Sequence, residues 1–470
     1  MKKRYQIRLM AVCMALVTAL EGCSKAAEQD NAQSAARQEQ TYAGQSLLGR
    51  EEAFGAVLTS AGVELPVSDS KVFVNRAGYI SDRDKSAVFL GERIGSEFHV
   101  IRQSDGEIVY TGRIEKGSVD ALSGNYLSKG DFSRLTEPGT YYIETDIIGQ
   151  SYPFEILQDG YEKMFIGLLK NVGEVPIAQD AEWVCSTSFG MHVLMYAMQC
   201  SGSLFEEAYL HFDDGDKQLV TQLLYFASLL LAQQGEDGSL YGDYEATAAF
   251  CGIMMMSRDT FGKYEESVAK EYREASYRAW EWLECQECDT DAKGCARFYA
   301  AAQLFKAESG EEYKQLAEEF LTGKTGGYSD SRFVFYGVLA YLNAERNADR
   351  DLCTYIMKDL TDYDEGLCGE AKNDVFFGTG ERTVSGSLDM LLLLSFVNYI
   401  TPSKEYTELI ENTIQYMGGL NESGTGYIDG SGAWAELPDT SKRSLEWNAI
   451  LIFGMSDKLN NLTDMESSSY

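Results

Sequence analysis

Apolar residues recur along this chain with two different periods, and the change between them falls near residue 160. Over residues 72–75, 86–90, 98–101, 107–110, 141–144 and 153–156 they form short β-branched or aromatic runs. Ser104-Asp105-Gly106, Ser123-Gly124-Asn125 and Pro138-Gly139 lie between them, and such residues favour turns over strand pairing. About seven short strands in about ninety residues predict a β-sandwich.

From Tyr161 onward the apolar residues take helical spacing. Runs fall near 161–173, 186–200, 216–233, 245–260, 265–285 and 296–308, then near 312–321, 331–344, 350–360, 384–400, 404–418 and 443–459. These predict about twelve helices joined by short loops containing Gly, Asp or Ser. An even number of sequential hairpins fits a toroid of paired helices, although periodicity by itself establishes only an all-α domain.

The N-terminus has a different character. Lys2, Lys3, Arg4 and Arg8 precede an apolar run over 9–20 that is too short to span a bilayer unaided. It ends at Leu20-Glu21-Gly22-Cys23, which resembles a bacterial lipobox with Cys23 as the lipidated residue; a plain secretory signal or an uncleaved anchor is the alternative. Residues 24–45 have almost no large apolar side chains and read as a flexible spacer. The expected division is signal peptide 1–22, linker 23–65, sandwich 66–158 and helical domain 159–470. The protein is then exported, to the outer face of a bacterial membrane or secreted, and meets the membrane only through a lipid anchor.

A formal charge of −33 repels nucleic acid and excludes it as a partner. It suits a neutral ligand, and aromatics at 12% of residues supply flat apolar faces for one. Of ten cysteines, Cys13 leaves with the signal and Cys23 carries lipid. Cys285, Cys288 and Cys295 have partial metal-ligand spacing, but with only His99, His192 and His211 in the chain a fourth ligand is wanting. They read as thiols or as a Cys288–Cys295 bridge, and no metal or cofactor is expected.

Several stretches, in order, resemble one known family. Val72-Phe73-Val74-Asn75-Arg76-Ala77-Gly78-Tyr79, Asp131-Phe132-Ser133 and Gly139-Thr140-Tyr141 are similar to the N-terminal immunoglobulin-like domain of cellulases. Glu245-Ala246-Thr247-Ala248-Ala249-Phe250, Met256-Ser257-Arg258, Ala279-Trp280-Glu281-Trp282-Leu283, the run 298–305 and Trp447-Asn448-Ala449 resemble glycoside hydrolase family 9. The resemblance implies an immunoglobulin-like β-sandwich followed by an (α/α)6 six-hairpin toroid. It also implies hydrolysis of β-1,4-glucan with inversion. That chemistry needs one carboxylic acid to protonate the leaving oxygen and one carboxylate to activate water, about 6.5–9.5 Å apart.

The residues expected to carry that chemistry differ here. The family's base lies in a motif with two aspartates, and two placements compete. Asp213, Asp214 and Asp216 keep the aspartates but leave too few residues before Glu245 for two helices. The run 183–193 keeps the tryptophan, as Trp183, and leaves room for those helices; in it the aspartates become Cys185 and Ser188. Counting back from Trp447 puts Ser441 and Lys442 where the family has its Asn-Glu pair, and a lysine of reference pKa about 10.4 cannot serve as that acid. Glu436 and Glu446 are the candidate substitutes. Trp183, Phe377, Tyr427 and Trp434 fall where the family's cleft lies, and read as sugar contacts or as ordinary packing. Three readings follow: a glycan-binding or weakly active relative taking a neutral polysaccharide or oligosaccharide, an inverting hydrolase using displaced carboxylates, and a structural or protein-binding surface lipoprotein.

Overall fold

The computed structural model describes residues 70–158, 160–213, 217–262, 266–324, 326–329, 331–344, 347–372, 374–376, 382–434 and 443–467, with side chains through 456. The expectations for Cys23, the signal and the linker lie outside these residues, as do those for Asp214, Asp216, Phe377, Glu436, Ser441 and Lys442.

Residues 70–157 form two facing sheets. One runs β1 (Val72–Phe73), β3 (Ser86–Leu90), β7 (Tyr126–Asp131), β6 (Ser118–Val119). The other runs β2 (Tyr79–Ile80), β10 (Phe154–Leu157), β8 (Gly139–Thr145), β4 (Glu97–Arg102), β5 (Ile108–Arg113), with β9 (Gly149–Gln150) paired to β8. Strand alternation selects the core: along β8 Tyr141, Ile143 and Thr145 are buried while the residues between them are partly exposed. Phe89 of one sheet meets Phe98 of the other with ring centroids 5.4 Å apart, and Tyr79 meets Phe132 and Phe154 edge-on at 5.1 and 5.3 Å.

Thirteen α-helices follow among the described residues. The first seven are α1 (Glu162–Asn171), α2 (Ala181–Cys200), α3 (Gly202–Ala208), α4 (Leu219–Ala232), α5 (Tyr244–Phe261), α6 (Glu266–Cys285) and α7 (Asp291–Glu308). Then come α8 (Glu311–Thr322), α9 (Arg332–Leu342), α10 (Arg350–Ala371), α11 (Val384–Ile400), α12 (Lys404–Met417) and α13 (Ser444–Ser467). The expected twelve are present, and the additional one is the short α3. No strand interrupts 190–320 among the described residues; Leu240 makes only isolated bridges to Gln234 and Asp243.

Burial sorts these helices into two layers. On α2 every residue from Trp183 to Ala197 is buried, and on α5 every residue from Ala246 to Ser257; helices covered on all sides belong inside. Helix α6 instead buries Tyr272, Ala275, Ser276, Ala279, Trp280 and Leu283, the stripe of an outer helix. The inner helices close a ring: α2 packs on α5, α5 on α7, α7 on α9, α11 on α13 and α13 back on α2. Phe335 and Phe396 join α9 to α11 with centroids 6.0 Å apart. In chain order the pairs α1–α2, α4–α5, α6–α7, α8–α9, α10–α11 and α12–α13 are six hairpins, the toroid that the resemblance implies.

The axis of the ring is filled from α2. Phe189 stacks on Tyr336 at 4.5 Å and meets Tyr299 and Phe333 edge-on at 5.6 and 5.0 Å. His192 lies 5.0 Å from Tyr336, and Tyr196 contacts Phe396 and Phe453 at 5.8 and 5.6 Å. A Cβ on Gly190 would come within 2.8 Å of the Glu446 backbone nitrogen, so the missing side chain lets α13 begin directly against α2.

The sandwich is docked on this toroid. Phe73, Ala77, Ile80, Val88 and Leu127 join the apolar core of the helical domain. A Cβ on Gly418 would fall 1.9 Å from Asn75 Oδ1, and Arg76 N–H donates to the Gly418 carbonyl at 2.8 Å. The Arg382 guanidinium holds Asp120, in the loop between β6 and β7, at 2.7 and 3.0 Å, and also pairs with Asp374. All eight cysteines among the described residues are free, Cys288 and Cys295 included, so no bridge forms there. No helix among these residues is long and apolar enough to cross a membrane.

Candidate functional site

Five of the six inner helices, α2, α5, α9, α11 and α13, carry polar side chains in or just before their first turns at one end of the barrel. Asp180 caps α2 by accepting from Trp183 N–H at 2.9 Å, and Asp243 caps α5 by accepting from Ala246 N–H at 2.8 Å. Arg332 is the first residue of α9, Ser385 and Asp389 lie in the first turns of α11, and Arg443 and Glu446 open α13.

Glu446 is the centre of this cluster. Its side chain is 1% exposed, and both oxygens are engaged. Oε2 accepts from Arg332 Nη1 at 2.7 Å and from Arg443 Nε at 3.1 Å, while Oε1 receives a long contact of 3.4 Å from the Tyr336 hydroxyl. Arg443 also donates to Ser385 Oγ at 2.8 Å and to Asp389 Oδ1 at 3.3 Å. The two guanidiniums are themselves laid over rings, Arg332 5.3 Å from the centre of Phe189 and Arg443 5.5 Å from that of Trp447. Burying a carboxylate is costly unless it is paired and hydrogen-bonded, and this one is both.

Cys185 and Ser188 stand on the first two turns of α2. Cys185 is buried, and burial pushes its thiol up; the Arg332 charge opposes that shift, while Asp243, Glu245 and Glu446 reinforce it. The thiol therefore stays protonated in the first turns of α2. Ser188 is fully buried and its hydroxyl has no hydrogen-bond partner among the described residues. Asp213 is exposed beyond the short helical turn Tyr209–His211.

The aromatic expectations separate. Trp183 is 1% exposed and its indole N–H donates to the Pro176 carbonyl at 3.3 Å. The expected sugar contact there is corrected: the ring is core, with no face open to a ligand. Trp434 is half-buried at the mouth, 6.3 Å from Trp447, with its indole N–H donating to Asn448 Oδ1 at 3.3 Å. Tyr427 is half-buried in the loop after α12, where its N–H donates to the Met417 carbonyl at 2.8 Å. Between them, Asp429 Oδ1 accepts from Ser431 and Ala433 N–H at 2.7 and 3.1 Å, closing a tight turn.

Comparison with known proteins agrees with this architecture in both parts. Residues 67–150 match the family described as the cellulase N-terminal ig-like domain. A cellodextrinase of Butyrivibrio fibrisolvens is 23% identical, over 77% of this chain and 85% of its own. Endoglucanase D of Acetivibrio thermocellus is 20% identical, over 83% of this chain and 84% of its own. A metagenome-derived glycoside hydrolase family 9 endoglucanase superimposes with a TM-score of 0.68 at 16% identity, covering 83% of this chain and 98% of that one. This chain is cellulase-like in both of its parts.

In the cellulase-like mouth, sequence reasoning named Cys185, Ser188 and Glu446 but missed Arg332, Arg443, Tyr336 and Asp389. One signal was available. Arg332 heads the otherwise apolar run 332–342, and a charge entering a helix buried on all sides needs a buried partner.

Proposed function

We propose that this protein binds a neutral β-linked polysaccharide or oligosaccharide at the barrel mouth and does not hydrolyse it at cellulase rates. The observation that carries this reading is Glu446, whose two oxygens are bound by Arg332, Arg443 and Tyr336. An inverting acid must reach the leaving oxygen with a proton to give, and a carboxylate fixed by two guanidiniums is poorly suited to that task. In the same reading Cys185 and Ser188 stand for the base and its neighbour, and Lys442 for the acid. The cellodextrinase and endoglucanase names of the relatives support β-1,4-glucan as the ligand class, with Trp434 and Tyr427 as its apolar contacts and Phe377 as a third. Export as a lipoprotein modified at Cys23 places the protein at the cell surface, and the division at 158/159 separates the docking sandwich from the binding domain.

Titration calorimetry with cellohexaose tests the binding half. Binding in the micromolar to millimolar range is expected, weakening about tenfold in Trp434→Ala, a loss of about 1.4 kcal/mol. Absence of heat with cellohexaose at millimolar concentration would contradict it.

A further inference from the structure

Tyr241 has no assigned role, and three observations single it out. Its backbone is left-handed, with φ +57°, at a residue that is not glycine. Its ring is 48% exposed. Its hydroxyl nevertheless donates to Gln233 Oε1 at 2.7 Å, so the half-exposed ring is held in one orientation.

The surrounding loop is built to hold it. Gln234 Nε2 donates to the Gly238 and Ala275 carbonyls at 3.0 and 2.9 Å, and Asp237 Oδ1 accepts from Ser239 N–H at 3.1 Å. Leu240, the residue before Tyr241, is fully buried, and its N–H donates to Thr247 Oγ1 on α5 at 3.0 Å. Two residues later Asp243 caps α5. Tyr241 thus sits at the entry to the inner helix α5, with its hydroxyl tied to Gln233 at the end of α4.

A bulky residue at positive φ is strained by about 1–3 kcal/mol, and such strain persists where the surrounding structure over-determines it, often at ligand clamps. Packing explains it only in part here, because about half of the residue stays exposed. We infer that Tyr241 is a sugar-stacking platform at the rim of the mouth, offering its face to a pyranose ring of a neutral glucan chain that extends out of the barrel. Tyrosine suits this position, with an apolar face for the sugar's C–H groups and a polar tip anchored to the protein. The inference rests on the glucan-binding reading above.

The test measures cellohexaose and cellobiose affinity for the full chain, Tyr241→Ala, Tyr241→Phe and Tyr241→Gly. Cellohexaose affinity is expected to fall about tenfold in Tyr241→Ala and Tyr241→Gly and to change less than threefold in Tyr241→Phe. Cellobiose, too short to reach both mouth and rim, should lose less than cellohexaose. Tyr241→Gly relieves the backbone strain, so its unfolding midpoint should equal or exceed that of the parent while its affinity falls. A purely structural tyrosine would instead show lowered midpoints with unchanged affinity. If the parent binds cellohexaose and Tyr241→Ala and Tyr241→Gly bind it equally well, the platform is refuted and the binding reading stands; if the parent does not bind, both fall.

Discussion

Asp364→Asn is expected to stabilise the protein by about 2–4 kcal/mol at pH 7 and by little at pH 4. Asp364 lies on α10, is 0% exposed, and neither carboxyl oxygen has a hydrogen-bond partner among the described residues. Burial pushes its carboxyl up to about 8. A folded-state value above the ordinary one means that the native protein holds a proton the unfolded chain releases. The group's contribution is therefore most favourable below about pH 4 and is lost as pH rises to about 8. His192 acts in the opposite sense. It is 2% exposed, and burial first, then the Lys306 charge, lowers it to about 3. Gln303 Nε2 lies 3.4 Å from its Nδ1. Its contribution is complete above about pH 6.5 and falls by about 1.4 kcal/mol per pH unit below that, toward pH 3. The two slopes oppose each other between about pH 4 and 6.5. Urea unfolding from pH 4 to 8 should show the Asp364→Asn gain growing with pH, and His192→Gln losing its deficit relative to the parent as pH falls. A gain for Asp364→Asn that is the same at pH 4 and pH 8 would contradict the buried unpaired carboxyl.

Arg382→Ala should cost about 3–5 kcal/mol, the range for breaking a buried ion pair from one side. Its side chain is 5% exposed, and those of Asp120 and Asp374 are 7% and 15% exposed; removing the cation strands both carboxylates at the junction of sandwich and toroid. Burial alone would raise the Asp120 carboxyl, but hydrogen bonds from Arg382 and Ser123 and the Arg382 charge outweigh it and hold the group at about 2. That depressed value contributes stability above about pH 4, lost as pH falls toward 2. The triple variant Arg382→Met, Asp120→Asn, Asp374→Asn should lie closer to the parent than Arg382→Ala, because no charge is left buried. A loss below about 1 kcal/mol in Arg382→Ala, by chemical denaturation at pH 7, would place the pair among weak surface bridges.

Most of the fold is legible in the sequence because its two periods are physical. Tyr141 and Ile143 alternate with partly exposed neighbours, and Tyr272, Ala275, Ala279, Trp280 and Leu283 recur at helical spacing. The inner helices are harder to order, because α2 and α5 are buried all round and carry no stripe to say which neighbour they face. The site is less legible still. Cys185 and Ser188 could be placed by resemblance, but Arg332 and Glu446 are 114 residues apart in the chain, and nothing local announces their pairing. Trp183 shows the limit of analogy: a tryptophan in register with a sugar-binding position is, here, the buried residue that Asp180 caps. What sets Tyr241 apart is a backbone angle, which sequence does not display.

The most direct test of the proposed loss of hydrolysis is the rate at which the purified full chain releases reducing ends from cellopentaose, with anomeric configuration followed by NMR. The expected result is binding without turnover in the ordinary enzyme range of about 1–10³ s⁻¹, since each missing acid–base group forfeits about 10²–10⁴ in rate. Steady release of inverted product in that range, abolished in Glu446→Gln, would contradict it and make Glu446 the acid.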